Sequence, residues 1–212
     1  KDDKVEVPEM YLGAQLSKMQ VEGHECWIMS AEKYVASAVR NVEEALAKKG
    51  LRLPTKCYTP LPTDYHPELD VSAELQADGV QYYQELIGVL RWAAEIGRVD
   101  ILLEVSLMSS QMALPRIGHL EKLYRIFGYL KAVAKRKLAF DALHPRIDER
   151  RFKTYDWFDF YRDAKEAIPT DMPEPRGNPM STHCFVDASH GSDLMTRRSQ
   201  TGILIFCNKA PI

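Results

Sequence analysis

Between Tyr82 and Leu130 apolar residues recur at helical spacing in three successive runs, and this constrains the fold more than any other feature of the chain. Tyr82, Tyr83, Leu86, Ile87, Leu90 and Ala94 draw one stripe, predicting a helix over 80–95 that stops near Gly97. Leu103, Leu107, Met108 and Met112 predict a second over 101–113, capped by Asp100 and halted before Pro115. Ile117, Leu120, Tyr124, Phe127 and Leu130 predict a third over 116–135. A separate stripe, Val35, Ala38, Val39, Val42, Ala45 and Leu46, predicts a helix over 31–49. Ser30 is placed as its N-cap, Glu32 suits the dipole, and Lys48, Lys49 and Gly50 close it. Amphipathic helices this close in sequence bury their stripes against one another as a small bundle.

Around the helices the period changes. Residues 10–17 and 25–29 read as strands of a hairpin, and 182–188 and 201–206 as two more strands joined by a polar loop containing Arg197 and Arg198. LAFD (138–141) reads as a short strand, and 156–179 as an acidic, proline-rich stretch with a short helix in DWFDFYRDAKEAI. From Arg52 to Gly79 prolines 54, 60, 62 and 67 interrupt any periodicity, which predicts a long connector. The fold class is therefore α+β: a hairpin, a helical bundle, then further strands. The chain opens without an initiator methionine and stops at NKAPI inside what reads as a hairpin, so a fragment is expected.

Charge and cysteine content narrow the function classes. Twenty-eight basic and thirty acidic side chains leave a net charge of −2, which is not the footprint of a dedicated nucleic-acid binder, so the charge must be read segment by segment. No run reaches the roughly 18 apolar residues of a membrane helix, so no membrane partner is expected. Cys26, Cys57, Cys184 and Cys207 lack CxxC spacing, which points to neither a disulfide framework nor a zinc site and makes a reducing intracellular setting the default.

The uneven region lies between Arg116 and Lys137, where seven basic residues face one acidic residue, Glu121. Such a run fits phosphate contact without base reading, and it equally fits cations closing a helix at its dipole's negative end. Asp187, at the end of the strand HCFVD, is placed to reach a metal if other carboxylates converge; alone it is a turn former. His183 and His190 flank it without zinc-site spacing. No phosphate-cradling or nucleophile-elbow motif occurs.

Several segments match one family in that family's order. PEMYLGAQLSK, IMSAEKYVASAV, YYQELIGVLRWAAEIGRVDILLEVSLMSS, HLEKLYRIFGYLK and FVDASHGSDLMTRRSQTGILIFCNKAPI together cover nearly the whole chain, most thinly over 141–180. They resemble the Pol polyprotein of copia-type retrotransposons, from just past the reverse-transcriptase palm into the start of the RNase H domain. The most telling match sets the third-named segment beside that family's "YRSLIGSLLYLA..TRPDIAYAVSLLSR". Ser189 stands where the family carries a second aspartate, and the stretch before His119 lacks the family's acidic pair.

The resemblance implies a palm-end hairpin (1–29), a thumb-like helical region (30–140), a connection (141–181) and the first strands of an RNase H-like fold (182–212). It implies RNA-directed DNA synthesis and RNA-strand removal in the parent polyprotein, with this segment gripping template–primer and inactive by itself. Lys122, Arg125, Lys131, Lys135, Arg197 and Arg198 become the nucleic-acid contacts, and Asp187 the first metal-binding carboxylate, with Mg²⁺ as the implied cofactor. The polymerase YVDD and the other RNase H carboxylates would lie outside the chain. Implied partners are an RNA–DNA hybrid or template–primer and the rest of the polyprotein, in a cytoplasmic particle or the nucleus. Two alternatives stand beside this reading: a decayed or excised element serving as a non-enzymatic helical interaction module, and an unrelated all-α binding protein with a β-tail.

Overall fold

The structure, a computed structural model, describes residues 7–151, 153, 155–165, 167 and 169–212. Two antiparallel sheets accompany a helical core, as the α+β expectation requires. The first sheet runs in order β1 (Met10–Tyr11), β2 (Ala14–Val21), β3 (His24–Ser30) and β4 (Leu138–Phe140). The expected single strand over 10–17 is in fact two. Leu12 and Gly13, both at positive φ, turn the chain between β1 and β2, and Glu22 and Gly23 do the same between β2 and β3. Two consecutive residues at positive φ form the hairpin turn whose twist matches the strands, and a glycine second takes the most extreme angle at no steric cost. Strand β2 therefore continues through Lys18–Val21, which its charged, exposed composition had disguised as loop.

Helices α1 (Glu32–Ala47), α2 (Ala77–Glu95), α3 (Leu102–Ser109) and α4 (Ile117–Ala132) follow the four predicted stripes. Their buried faces share one core: Val35, Val39, Val42 and Leu46 from α1, Tyr83, Ile87 and Leu90 from α2, Val105 and Met108 from α3, and Leu123, Phe127 and Leu130 from α4. The α1 boundary falls one residue later than placed, at Ala31, although the Ser30 hydroxyl still accepts the Glu32 N–H at 3.3 Å. Helix α2 begins earlier, at Ala77, inside the stretch assigned to the connector.

Two helices are shorter than their periodicity implies. Ser109 and Ser110 donate their hydroxyls to the carbonyls of Val105 and Leu107, both at 2.6 Å, taking over backbone acceptors as α3 ends. Helix α4 ends at Ala132, so Lys135, Arg136 and Lys137 lie in the turn that delivers β4 to the edge of β3, not on the helix. Asp100 is not a cap. It sits in the 3-10 turn Val99–Ile101 ahead of α3 and spends its carboxylate on side chains.

The proline-rich connector is ordered and built into the core. Leu53, Cys57 and Leu61 are buried, and α4 approaches so closely that a Cβ on Gly128 would meet the Pro54 carbonyl oxygen at 2.6 Å. His119, buried in the first turn of α4, accepts the Arg116 N–H at Nδ1 (3.0 Å) and donates from Nε2 to the Pro67 carbonyl (2.8 Å). That pairing fixes its tautomer and pins the helix start to the connector.

Beyond β4 a short helix α5 (Phe158–Tyr161) falls within the acidic stretch; Glu166 and Ile168 of the segment assigned to it lie outside the described residues. The second sheet runs β5 (Thr182–Ser189), β6 (Gln200–Cys207) and β7 (Ala210–Pro211). Hydrogen bonds that tie it back include Asn208 Nδ2 to the Ala142 carbonyl (2.8 Å), Lys209 N to the Leu143 carbonyl (3.2 Å), Lys209 Nζ to Glu22 Oε2 (3.1 Å) and Leu194 N to Glu68 Oε1 (2.9 Å). No helix among the described residues is long and apolar enough to cross a membrane.

Candidate nucleic-acid interface

The basic run of 116–137 is dispersed by the fold rather than displayed on one face. Lys122 sits 5.2 Å from the centre of the Tyr65 ring, a cation–π contact with the connector. Arg125 donates from Nη2 to the Thr59 hydroxyl at 3.2 Å. Arg116 bonds the Ser72 carbonyl and Glu74, and Arg136 reaches Asp100 at 3.3 Å while stacking over Tyr129. Lys131 crosses to α1 and pairs with Glu43 at 2.6 Å. Lys135 and Lys137 are exposed and form no ion pair among the described residues.

Lys137 opens into a cleft of about 390 Å³ between the first sheet and the start of α1. Lys33 lines the same cleft, together with Ser17, Ser30, Glu9 and Glu32. Lys33 escapes a reading by charge runs because it lies outside the basic stretch of 116–137 and follows Glu32 in the first turn of α1. The signal that could have found it is its place one turn from the hairpin's end.

Arg197 and Arg198 are exposed in the β5–β6 loop, as the sequence placed them. Asp193 shapes that loop: its carboxylate accepts the N–H groups of Thr196 and Met195, at 2.6 and 3.0 Å. Those bonds, the Thr196 one foremost, hold its carboxyl below the usual range, aided by Arg198. Arg197 takes a left-handed φ of 59° and lays its guanidinium against Gly191.

Asp187 lies on β5 opposite Gly202, exposed, with Oδ1 accepting the N–H of its own neighbour Ala188 at 2.8 Å. Among the described residues no second and third ligand group gathers around it. Mg²⁺ demands a near-octahedral oxygen shell drawn from more than one such group or a bound phosphate, so the residues present do not make a Mg²⁺ site. No catalytic step is assigned to Asp187 in this chain.

Arg98 and Asp100 form a pair with a structural task. Arg98 is 1% exposed and clasps Asp100 through Nε and Nη2, both at 2.9 Å. Tyr129 donates its hydroxyl to the same carboxylate at 2.9 Å. Burial alone would raise the Asp100 carboxyl, but the Arg98 fork, with Tyr129 and Arg136, holds it below the ordinary value.

No family model, no curated protein and no solved structure matches the chain.

Proposed function

We propose that the chain is a reverse transcriptase/RNase H segment of a copia-type retrotransposon polyprotein, its helical part gripping template–primer by the phosphate backbone. What carries this reading is the order of the matched segments, which runs hairpin, helices and an aspartate-bearing strand over nearly the whole chain. The β5–β6 ribbon adds support. Phe185 and Leu204 are exposed on one face, Val186 and Ile203 on the other. A strand pair apolar on both faces suits a sheet layered on both sides, as in an RNase H-like fold. In this reading the cations without an ion-pair partner among the described residues make the phosphate contacts: Lys135 and Lys137 after α4, and Arg197 and Arg198 on the β5–β6 loop. Lys122, Arg125 and Lys131 hold the connector and α1 in place and contribute less. The parent's Mg²⁺ would need carboxylates from outside this chain.

Titration of the chain into a fluorescent RNA–DNA hybrid at several salt concentrations tests the reading. Two to four phosphate contacts give a log–log salt slope of about −2 to −4, at weak affinity because the net charge is −2. The double reversal Lys135→Glu/Lys137→Glu lowers the slope's magnitude by about 2. Glu43→Lys releases Lys131 and tightens binding. Binding that ignores salt, or that Lys135→Glu/Lys137→Glu leaves unchanged, overturns the grip. It then favours the second reading, a non-enzymatic helical interaction module, which the internal use of Arg116, Lys122, Arg125, Lys131 and Arg136 supports.

A further inference from the structure

The first residue of β3, just past the Glu22–Gly23 turn, the body of β3 and the chain leaving β4 bring His24, Cys26 and Asp141 together. One ligand atom from each lies within 4.8 Å of the other two. His24 and Asp141 are 117 positions apart, and a ring nitrogen of His24, Nε2, lies 2.9 Å from Oδ1 of Asp141. Cys26 is 3% exposed and Asp141 6%, while His24 stays half-open to solvent, so the cluster has two buried ligands and an approach side. We propose that His24, Cys26 and Asp141 form a zinc-class metal site that rivets the β2–β3 turn to the segment following β4.

The chemistry of the donor set selects the metal. One imidazole nitrogen, one sulfur and one carboxylate oxygen suit Zn²⁺, bound by three protein ligands with a fourth position open, and do not suit Mg²⁺ or Ca²⁺, which take oxygen. Tetrahedral coordination with bonds of about 2.0–2.3 Å needs ligand atoms about 3.3–3.7 Å apart. The present separations require side-chain adjustment of about 1 Å, not a rebuilt backbone. Binding exchanges the Cys26 proton for the metal and leaves a thiolate–zinc bond, with the proton released to solvent.

The local charge is already arranged for a cation. Asp141 and Glu22 contribute two carboxylates, answered by the ammonium of Lys209, which stands 3.4 Å from Asp141 Oδ2 and 3.1 Å from Glu22 Oε2. Lys209 is thus the resident counter-cation, and a dication bound to Asp141 would drive it toward Glu22, whose side chain is 72% exposed and yields easily. This makes a prediction that no purely structural role for the cluster shares: removing Lys209 tightens metal binding.

The test uses the full chain carrying Cys184→Ser and Cys207→Ser, which removes the two accessible thiols, titrated with Co²⁺ and then Zn²⁺ under absorbance. The expected result is one Co²⁺ per chain with a thiolate-to-metal charge-transfer band, displaced by one equivalent of Zn²⁺. Cys26→Ser abolishes the band. His24→Gln, at a half-exposed position that the fold tolerates, weakens binding at least about tenfold, and this decides the matter even if Cys26→Ser unfolds. Lys209→Met tightens binding several-fold. No band, a band that survives Cys26→Ser in a folded chain, unchanged affinity in His24→Gln, or weaker binding in Lys209→Met overturns the site. None of these outcomes bears on the proposed nucleic-acid grip.

Discussion

Replacing Asp100 by alanine is the most informative single perturbation of the helical core. Among the described residues it removes the only acidic partner of Arg98, whose guanidinium is 1% exposed and already carries one nitrogen, Nη1, without a hydrogen-bond partner there. The loss comprises two charge-assisted bonds at 2.9 Å and the Tyr129 hydroxyl bond at 2.9 Å. Breaking a buried pair by deleting one member costs about 3–5 kcal/mol, because the remaining charge is stranded. The Asp100 side chain is itself 20% exposed, so water can reach the gap and the lower end, about 3 kcal/mol, applies. The Arg136 side chain, 53% exposed, makes a pair worth about 0–1 kcal/mol, so Arg136→Ala is the matched control. In urea titrations followed by far-ultraviolet circular dichroism, a slope of about 2–3 kcal/mol/M turns 3 kcal/mol into a midpoint loss of about 1–1.5 M. Tyr129→Phe falls between, at about 1 kcal/mol. If Asp100→Ala and Arg136→Ala shift the midpoint equally, the buried fork is not what seats the 3-10 turn ahead of α3.

Two glycines on exposed and buried helix faces make an opposed pair. Gly88→Ala, with nothing within 4 Å of the new Cβ, raises stability by about 1 kcal/mol through helix propensity. Gly128→Ala, whose Cβ would meet the Pro54 oxygen at 2.6 Å, lowers it by about 1–2 kcal/mol net of that gain; thermal melts of both variants check the opposite signs. Acid sensitivity follows from Asp100. Its folded pKa is depressed, so its contribution is present above the unfolded value of about 3.9 and is lost as pH falls through the folded value. Stability therefore drops on acidification below about pH 4, and Asp100→Asn flattens that limb in denaturant midpoints measured across the range.

Helix existence was legible because each stripe buries one face, and a stripe of buried side chains leaves its period in the sequence. What the period could not convey was where backbone acceptors are taken by something else. The serines ending α3 and the strand partner waiting for residues 138–140 both cut helices short, and both depend on contacts remote from the stripe. Strand β2 was half-hidden for the opposite reason. Its outer residues are exposed, so no burial pattern marks them, and only the Glu22–Gly23 turn reveals the register. The connector looked loose because prolines erase periodicity, yet proline rigidity lets Leu53, Cys57 and Leu61 be held against α4 without a ladder of hydrogen bonds.

The site was less legible than the fold, and charge explains why. A count of cations along a chain treats each as available, whereas phosphate binding draws only on cations whose counterions are released on contact. Lys131 has Glu43, Arg136 has Asp100 and Arg116 has Glu74, all at 3.3 Å or less. Those carboxylates come from 88, 36 and 42 positions away, beyond any local reading of charge. Lys135 and Lys137 escape such pairing because α4 ends before them and the turn aims them outward. The same long-range assembly that dissolves the basic stripe creates the His24, Cys26 and Asp141 cluster, which spacing rules pass over because its carboxylate arrives from the far side of the helical core. Packing of α4 against α1 and the connector thus engages most of the basic run internally, while the pairing of β4 with β3 carries Asp141 to His24 and Cys26.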